Sequence, residues 1–478
     1  MSREILTIKG CAASEAKYQI ISPVDGNVYA EVDDAEPASV DAVVARAKRA
    51  KEFLTALTDF ERADLCRSTA DALLSRTEEL AEVIAWETGR PLASGRDEVQ
   101  KAAWGLQLAA EEGVRLNSAV VPVRDRTKIT MTTRHPTGIW AILSPWNFPV
   151  NIPVEYLGPA LAVGNPVVWK PAPSTAASAR VLWESFQSAG VPTGAINLLT
   201  TDQLPTVRAL LEHPDVIGVG LTGSTATGRA VARSVPGKHL VLELGGNGPL
   251  LVYGDADLAL AAKAAASGAF AASGQICSST GRVFVEESVA ERFAELVVEE
   301  TKTFRLGNPF DEDTVMGPLH DQVVADRVSE QIADAVAQGA RVISEPDERS
   351  WPTRTYMAAQ VVTNVPVGCS LEAEESFGPV VPIVPVPDGE DLVDLANNGV
   401  HALSVGVFTK DIDRALNAAR RLEFGSVIIN DRAGFWELHL PFGGWEGLDS
   451  GTGRVGVPAM VQHMTQYKTT SLTINQGL

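Results

Sequence analysis

Apolar residues recur at three- and four-residue intervals over 38–57 and again over 61–76, the spacing that gives a helix one buried face. Thr58 and Asp59 stand just before the second run, and either can cap it. The first hundred residues therefore read as mostly helical. The pattern changes at 125–135, where Thr127, Ile129, Met131 and Thr133 alternate with polar or charged neighbours, the two-residue period of a strand. From Gly138 onward, short apolar runs at 139–143, 166–169 and 196–199 alternate with helical stretches such as 176–188. That alternation predicts a parallel sheet with crossover helices. A strand at 215–221 and a helix at 226–234 extend it. A second alternating region follows Gly246, with helices over 258–272, 289–304 and 322–338 and strands over 281–285 and 341–344. The end, 462–475, carries Tyr467, Thr469, Ser471, Leu472 and Thr473 in a strand-like run that could pair with the hairpin of a neighbouring subunit. The fold class expected is α/β, with two Rossmann-like parallel-sheet units and a small β element.

Length agrees with this division, because 478 residues exceed one ordinary core and, at about 150 residues per domain, predict two or three units. The formal net charge is −20 and no Lys/Arg-rich block stands out, which argues against nucleic acid or an anionic membrane as a partner. No stretch approaches the roughly 18 apolar residues of a membrane span, and 1–10 lacks the apolar centre of a signal peptide. Cys11, Cys66, Cys277 and Cys369 lie far apart, so neither a disulfide framework nor a metal site is indicated, and a cytoplasmic setting fits best.

Cys277 sits in Gly274-Gln275-Ile276-Cys277, downstream of Glu243-Leu244-Gly245-Gly246. A thiol beside a carboxylate suggests covalent chemistry followed by hydrolysis. A reactive cysteine is expected to be partly exposed and in surroundings that favour thiolate. Gly218, Gly220 and Gly223 spell GxGxxG, with Glu243 at the distance of a ribose ligand. Two of those glycines fall inside the predicted strand, so the turn itself is assigned to Gly223 through Gly228.

Seven segments occur in order: Pro145-Trp146-Asn147-Phe148-Pro149, Lys170-Pro171-Ala172, Leu221-Thr222-Gly223-Ser224, Glu243-Leu244-Gly245-Gly246, the cysteine segment, Glu375-Ser376-Phe377-Gly378-Pro379 and Pro441-Phe442-Gly443-Gly444. Together they resemble the aldehyde dehydrogenase superfamily across nearly the whole chain. The resemblance implies a dinucleotide-binding domain (1–120 and 138–246), a catalytic domain (247–440) and an oligomerisation element (121–137 and 462–478). It implies Cys277 as nucleophile, Glu243 as the base for thioester hydrolysis rather than a ribose ligand, and the Asn147 amide with the Cys277 N–H as oxyanion donors. It places NAD or NADP against Trp146, Lys170, Gly223, Ser224, Glu375 and Phe377. Many NAD-selective relatives carry a glutamate where this chain has Pro173, so NADP is expected to be tolerated. A homodimer or homotetramer is the expected assembly.

The substrate is expected to be an aldehyde. Asn151 and Glu155 follow Asn147 at four-residue spacing and, on one helix face, would line its entry; Ser278, Trp436 and His439 are the other candidate contacts. Glu155 is as readily a solvated helix residue. A carboxylate at the entry disfavours anionic substrates. The cysteine segment is similar to relatives acting on benzaldehyde- or vanillin-like aldehydes, whereas Gly246-Asn247-Gly248-Pro249 is similar to relatives acting on small polar aldehydes or semialdehydes. The first reading is taken as the main one. A coenzyme-A-acylating dehydrogenase is opposed by Glu243, and a non-catalytic dinucleotide-binding structural protein by Cys277.

Overall fold

The computed structural model describes residues 5–474 apart from 13 and 117, so the outermost parts of the expected spans, including Asn475, lie outside the described residues. Two parallel sheets dominate. The first has six strands in the order Gly451–Thr452, His239–Glu243, Val216–Thr222, Ile139–Leu143, Val167–Lys170, Ile196–Leu198. All run parallel except the short Gly451–Thr452 edge. Its apolar strands are covered on both faces, and the fully buried Trp140 and Trp169 keep their indole N–H groups satisfied on Thr137 and Ser144. The second sheet has seven strands in the order Arg341–Val342, Gln360–Thr363, Val380–Val386, Thr280–Glu286, Gly248–Val252, Ser404–Phe408, Ser426–Ile429, with only Arg341–Val342 antiparallel. That edge strand is two residues long, shorter than the expected 341–344.

The helix Ala176–Ser188 has the bounds that its apolar spacing predicts. Asp59–Leu74 begins at Thr58, whose hydroxyl accepts from the Glu61 N–H while the Glu61 carboxylate accepts from the Thr58 N–H, a reciprocal capping box. The N-terminal region is less helical than expected, because Leu6–Ile8, Val28–Asp33 and Lys17–Ile21 form a three-stranded sheet there. Pro159 lies inside Asn151–Val163 and does not end it. The helix is buried along almost its whole length against Leu92–Gly113 and Val457–His463, and this packing outweighs the backbone hydrogen bond that proline removes.

The C-terminal strand Thr465–Thr473 pairs antiparallel over nine residue pairs with Lys128–Pro136 of the same chain, and Ala119–Val121 flanks that strand on its other side. The pairing seen is within one chain, and it leaves the other edge of Thr465–Thr473 unpaired among the described residues. Gly218 and Gly220 lie within Val216–Thr222, where a side chain on Gly218 would overlap Trp140 and a Cβ on Gly220 would stand 2.7 Å from the Tyr156 ring. They are packing glycines. Among the described residues no helix is long and apolar enough to cross a membrane.

Candidate active site

Parallel strands present their carboxyl ends on one side of a sheet, where ligands of open α/β folds bind. In the first sheet Lys170, Thr222 and Glu243 terminate three of those strands, and the segment holding Trp146 and Asn147 leaves a fourth. The segment 275–279, which carries Cys277, comes from the second half of the chain and meets them. Contact is so close at Gly246 that any side chain there would overlap the Cys277 carbonyl. The turn before Cys277 holds three successive residues at positive φ, Ala272 (48°), Ser273 (56°) and Gly274 (78°). Two of these are not glycine, so the turn stores conformational strain directly before the nucleophile candidate.

Gln275 is buried and ties this turn down on three sides. Its Oε1 accepts from the His320 N–H at 2.8 Å, its Nε2 donates to the Ala272 carbonyl, and its own carbonyl accepts from Asn147 Nδ2 at 2.9 Å. Asn147 is 5 % exposed and uses one of its two amide hydrogens in that bond, leaving the other free. It stands in the turn before Asn151–Val163 rather than on the helix. Asn151 and Glu155 do share a helix face, with Asn151 Nδ2 donating to Glu155 Oε1 at 2.7 Å. Glu155 is 5 % exposed, which overturns the reading of it as a solvated residue.

Glu243 is 4 % exposed, and neither carboxylate oxygen has a hydrogen-bond partner of good geometry. A Cβ on Gly443 would lie 2.7 Å from its Oε1, so the closing glycine-rich segment leaves the room that this carboxylate occupies. Burial pushes the Glu243 carboxyl well above the usual carboxylate range, repulsion from Glu155 adds to the effect, and Arg454 opposes it. Burial likewise raises Glu155 to about 8, against the Asn151 hydrogen bond. Cys277 is half-buried, and its thiol is pushed up, first by desolvation and then by Glu243, Glu375 and Glu155. The expected thiolate-favouring setting is therefore absent, because the charges around the sulfur are carboxylates.

A second group lies beside this one. Ser224 caps Thr225–Ser234, its hydroxyl accepting from the Thr227 N–H, and Gly223 forms the turn before it. A helix N-terminus of this kind, with its other first amides still available, suits a pyrophosphate. The Lys170 ammonium has no hydrogen bond to another described residue, and burial lowers it to about 8 against the pull of Asp202 and Asp34. Glu375 Oε1 accepts from the Gly246 N–H at 3.0 Å, and burial raises that carboxyl to about 7. Phe377 sits at φ 57° with its ring edge-on to Trp146 at 5.5 Å, and the other ring contact of Trp146 is a 4.0 Å stack on His320. An unpaired buried cation, a capped helix start and two aromatic walls form a set of groups that fits a dinucleotide. Among the described residues no group of three or more His, Cys, Asp or Glu could hold a metal ion.

Of the other substrate candidates, Ser278 is buried against Gly434, and Trp436 packs on Phe442 at 5.0 Å, on the edge of the core that Cys277 also touches. His439 is at the surface beside Glu437, with its ring against the edge of Trp104. The sequence pattern did not single out Arg90 and Glu98, whose buried ion pair contacts the Asn147 segment. Nothing local marks them, because Arg96, Asp97 and Lys101 stand on the same helix as Glu98.

Comparison with known proteins agrees with this arrangement. The sequence profile described as "Aldehyde dehydrogenase family" matches residues 11–470. A 3-sulfolactaldehyde dehydrogenase of Priestia aryabhattai is 33% identical over 95% of this chain and 94% of its own length. A lactaldehyde dehydrogenase of Methanococcus maripaludis is 32% identical over 88% of this chain and 89% of its own. The crystal structure of an NADP-dependent glyceraldehyde-3-phosphate dehydrogenase from Bacillus halodurans, complexed with NADP, superposes with a TM-score of 0.94 at 31% identity, covering 99% of this chain and 100% of that one. The chain belongs to the aldehyde dehydrogenase family and is an NAD(P)-dependent aldehyde dehydrogenase.

Proposed function

We propose that the enzyme oxidises a short, uncharged, hydroxylated aliphatic aldehyde to its carboxylic acid through a thioester on Cys277. The observation that carries the substrate class is the buried Asn151–Glu155 pair, whose field reaches Cys277 and Glu243 and is shifted by no cation. Such a pair offers hydrogen bonds to a hydroxyl and repels an anion once Glu155 ionises. The names of the two relatives above, lactaldehyde and 3-sulfolactaldehyde dehydrogenase, support the small polar class over the aromatic one expected first. Sulfolactaldehyde adds a sulfonate, for which this field is unsuited.

The Cys277 thiol gives its proton to solvent, Sγ forms a bond to the carbonyl carbon, and the π electrons move to oxygen. The free Asn147 amide hydrogen and the Cys277 N–H are the donors for that oxyanion. Lys170, Gly223, Ser224, Trp146, Glu375 and Phe377 would hold the dinucleotide, which when bound would supply the hydride acceptor. Loss of hydride from the adduct leaves an acyl group on sulfur. Glu243 then takes a proton from water as its oxygen attacks the thioester, and the thiolate leaves. The raised proton affinity of Glu243 makes it a stronger acceptor in that transfer.

The assembly proposed is a homodimer or homotetramer built on the sheet of Thr465–Thr473, Lys128–Pro136 and Ala119–Val121, and the setting proposed is the cytoplasm, in keeping with four unpaired cysteines. The substrate reading is tested by kcat/KM for lactaldehyde, benzaldehyde and succinate semialdehyde. At pH 9, where Glu155 is ionised, lactaldehyde is expected to lead the succinate compound by about ten-fold or more, the effect of one unit charge at short range through protein. A lead by benzaldehyde or by the anion would refute it.

A further inference from the structure

The oxyanion donor has no rigid element of its own, since Asn147 stands in a turn and its helix begins only at Asn151. That helix has no capping side chain of its own: Val150 occupies the cap position, and no local side chain accepts from the first amides. Exposed N–H groups at a buried helix start require acceptors from elsewhere. Glu98, on Leu92–Gly113, provides one. Its Oε1 accepts from the Val150 N–H at 2.8 Å and the Asn151 N–H at 2.9 Å, and its Oε2 pairs with Arg90 Nη1. The same Arg90 nitrogen donates to the Asn147 carbonyl at 3.0 Å. The rest of the guanidinium is also committed, with Nε and Nη2 on Ser94 and the plane over the Phe148 ring at 4.2 Å. Arg90 and Glu98 are 3 % and 2 % exposed.

We propose that the Arg90–Glu98 pair is a positioning clamp that sets the location of the Asn147 amide relative to Cys277. A buried ion pair is a poor source of stability, because desolvating both charges offsets their attraction. What this one does supply is direction: every side-chain hydrogen bond that it makes outside itself and Ser94 falls on residues 147–151. With the Asn147 carbonyl held by Arg90 and one amide hydrogen held by the Gln275 carbonyl, the remaining hydrogen has a fixed place. An oxyanion donor acts only where the oxygen arrives, and displacement by about 1 Å can cost on the order of a hundred-fold in rate. Neither residue touches substrate or cofactor in this account, so each acts through Asn147.

The proposal rests on the reading of Asn147 as oxyanion donor, and a double-mutant cycle separates the two. The rate of the first turnover is measured by the burst of reduced cofactor, together with cofactor affinity and thermal unfolding, for wild type, Asn147→Ala, Glu98→Gln and the double variant. Glu98→Gln is expected to slow the burst by about ten-fold or more with cofactor affinity within about two-fold of wild type, and to add less than about two-fold to Asn147→Ala. Arg90→Lys, which keeps the charge but not the fork, is expected to behave in the same way and serves where Glu98→Gln does not fold. Independent, multiplying losses, or an unchanged burst in both clamp variants, would overturn the clamp while leaving Asn147 in place. An unimpaired Asn147→Ala would remove the donor reading and the clamp with it.

Discussion

Glu155 is 5 % exposed, and burial holds its proton until the pH reaches about 8, against the hydrogen bond from the Asn151 amide. Its carboxyl is raised, so it is neutral below that value and anionic above it. Discrimination against an anionic aldehyde should therefore grow as pH rises from 7 to 9. The ratio of kcat/KM for lactaldehyde over succinate semialdehyde is the right measurement, because ionisation of Cys277 cancels within it. The wild-type ratio should rise several-fold around the pH at which Glu155 loses its proton, about 8, and the Glu155→Gln ratio should stay flat. A flat wild-type profile, or an equal rise in the variant, would show that another group sets the selectivity. The identity of such residues was readable to different degrees. Cys277, Glu243 and Asn147 stand in short motifs whose spacing is visible along the chain. The field around Cys277 was not visible, because Glu155, Glu243 and Glu375 reach it from three separate segments and reverse the thiolate-favouring surroundings expected of a reactive cysteine. Arg90 and Glu98 escaped for a related reason: their partners lie more than fifty positions away.

Elements followed local pattern where their stability is local. Ala176–Ser188 and Ile139–Leu143 have the predicted bounds, since one apolar face or one apolar run fixes each. Asn151–Val163 continues through Pro159 because its neighbours bury it, and neighbours leave no mark on its own periodicity. The N-terminal strands were missed because they are short and their pairing partners are remote in sequence. The C-terminal strand was recognised from its alternation, but alternation names a strand and not its partner. Pairing within the chain leaves Thr465–Thr473 at an edge, with Tyr467, Leu472 and Ile474 about half exposed. A long exposed edge with apolar side chains is suited to association. Light scattering on the full chain should give the mass of a dimer or tetramer, and truncation before Thr465 should abolish it; a monomeric full chain would rule out assembly through this sheet.

On the scale of the molecule, the site exists only where the two large sheets meet. The first contributes Lys170 and Glu243 at strand ends and Asn147 on the segment after a third, and the second contributes Cys277 from the approach to Thr280–Glu286. Gly246 and Gly443 give the room for that meeting, one against the Cys277 carbonyl and the other against Glu243. The ordering of motifs along the chain disclosed the family, yet the wall-to-wall contact between halves is a property of the folded whole. The central claim is that the sulfur of Cys277 carries the acyl group and that Glu243 is needed to release it. The most direct test mixes Glu243→Gln with lactaldehyde and NAD, follows reduced cofactor, and maps added mass by peptide mass spectrometry. About one equivalent of reduced cofactor per subunit followed by near-arrest, with the acyl mass on the peptide containing Cys277, is the predicted result. Steady turnover at the wild-type rate, or a burst with no acyl group on that peptide, would contradict the account.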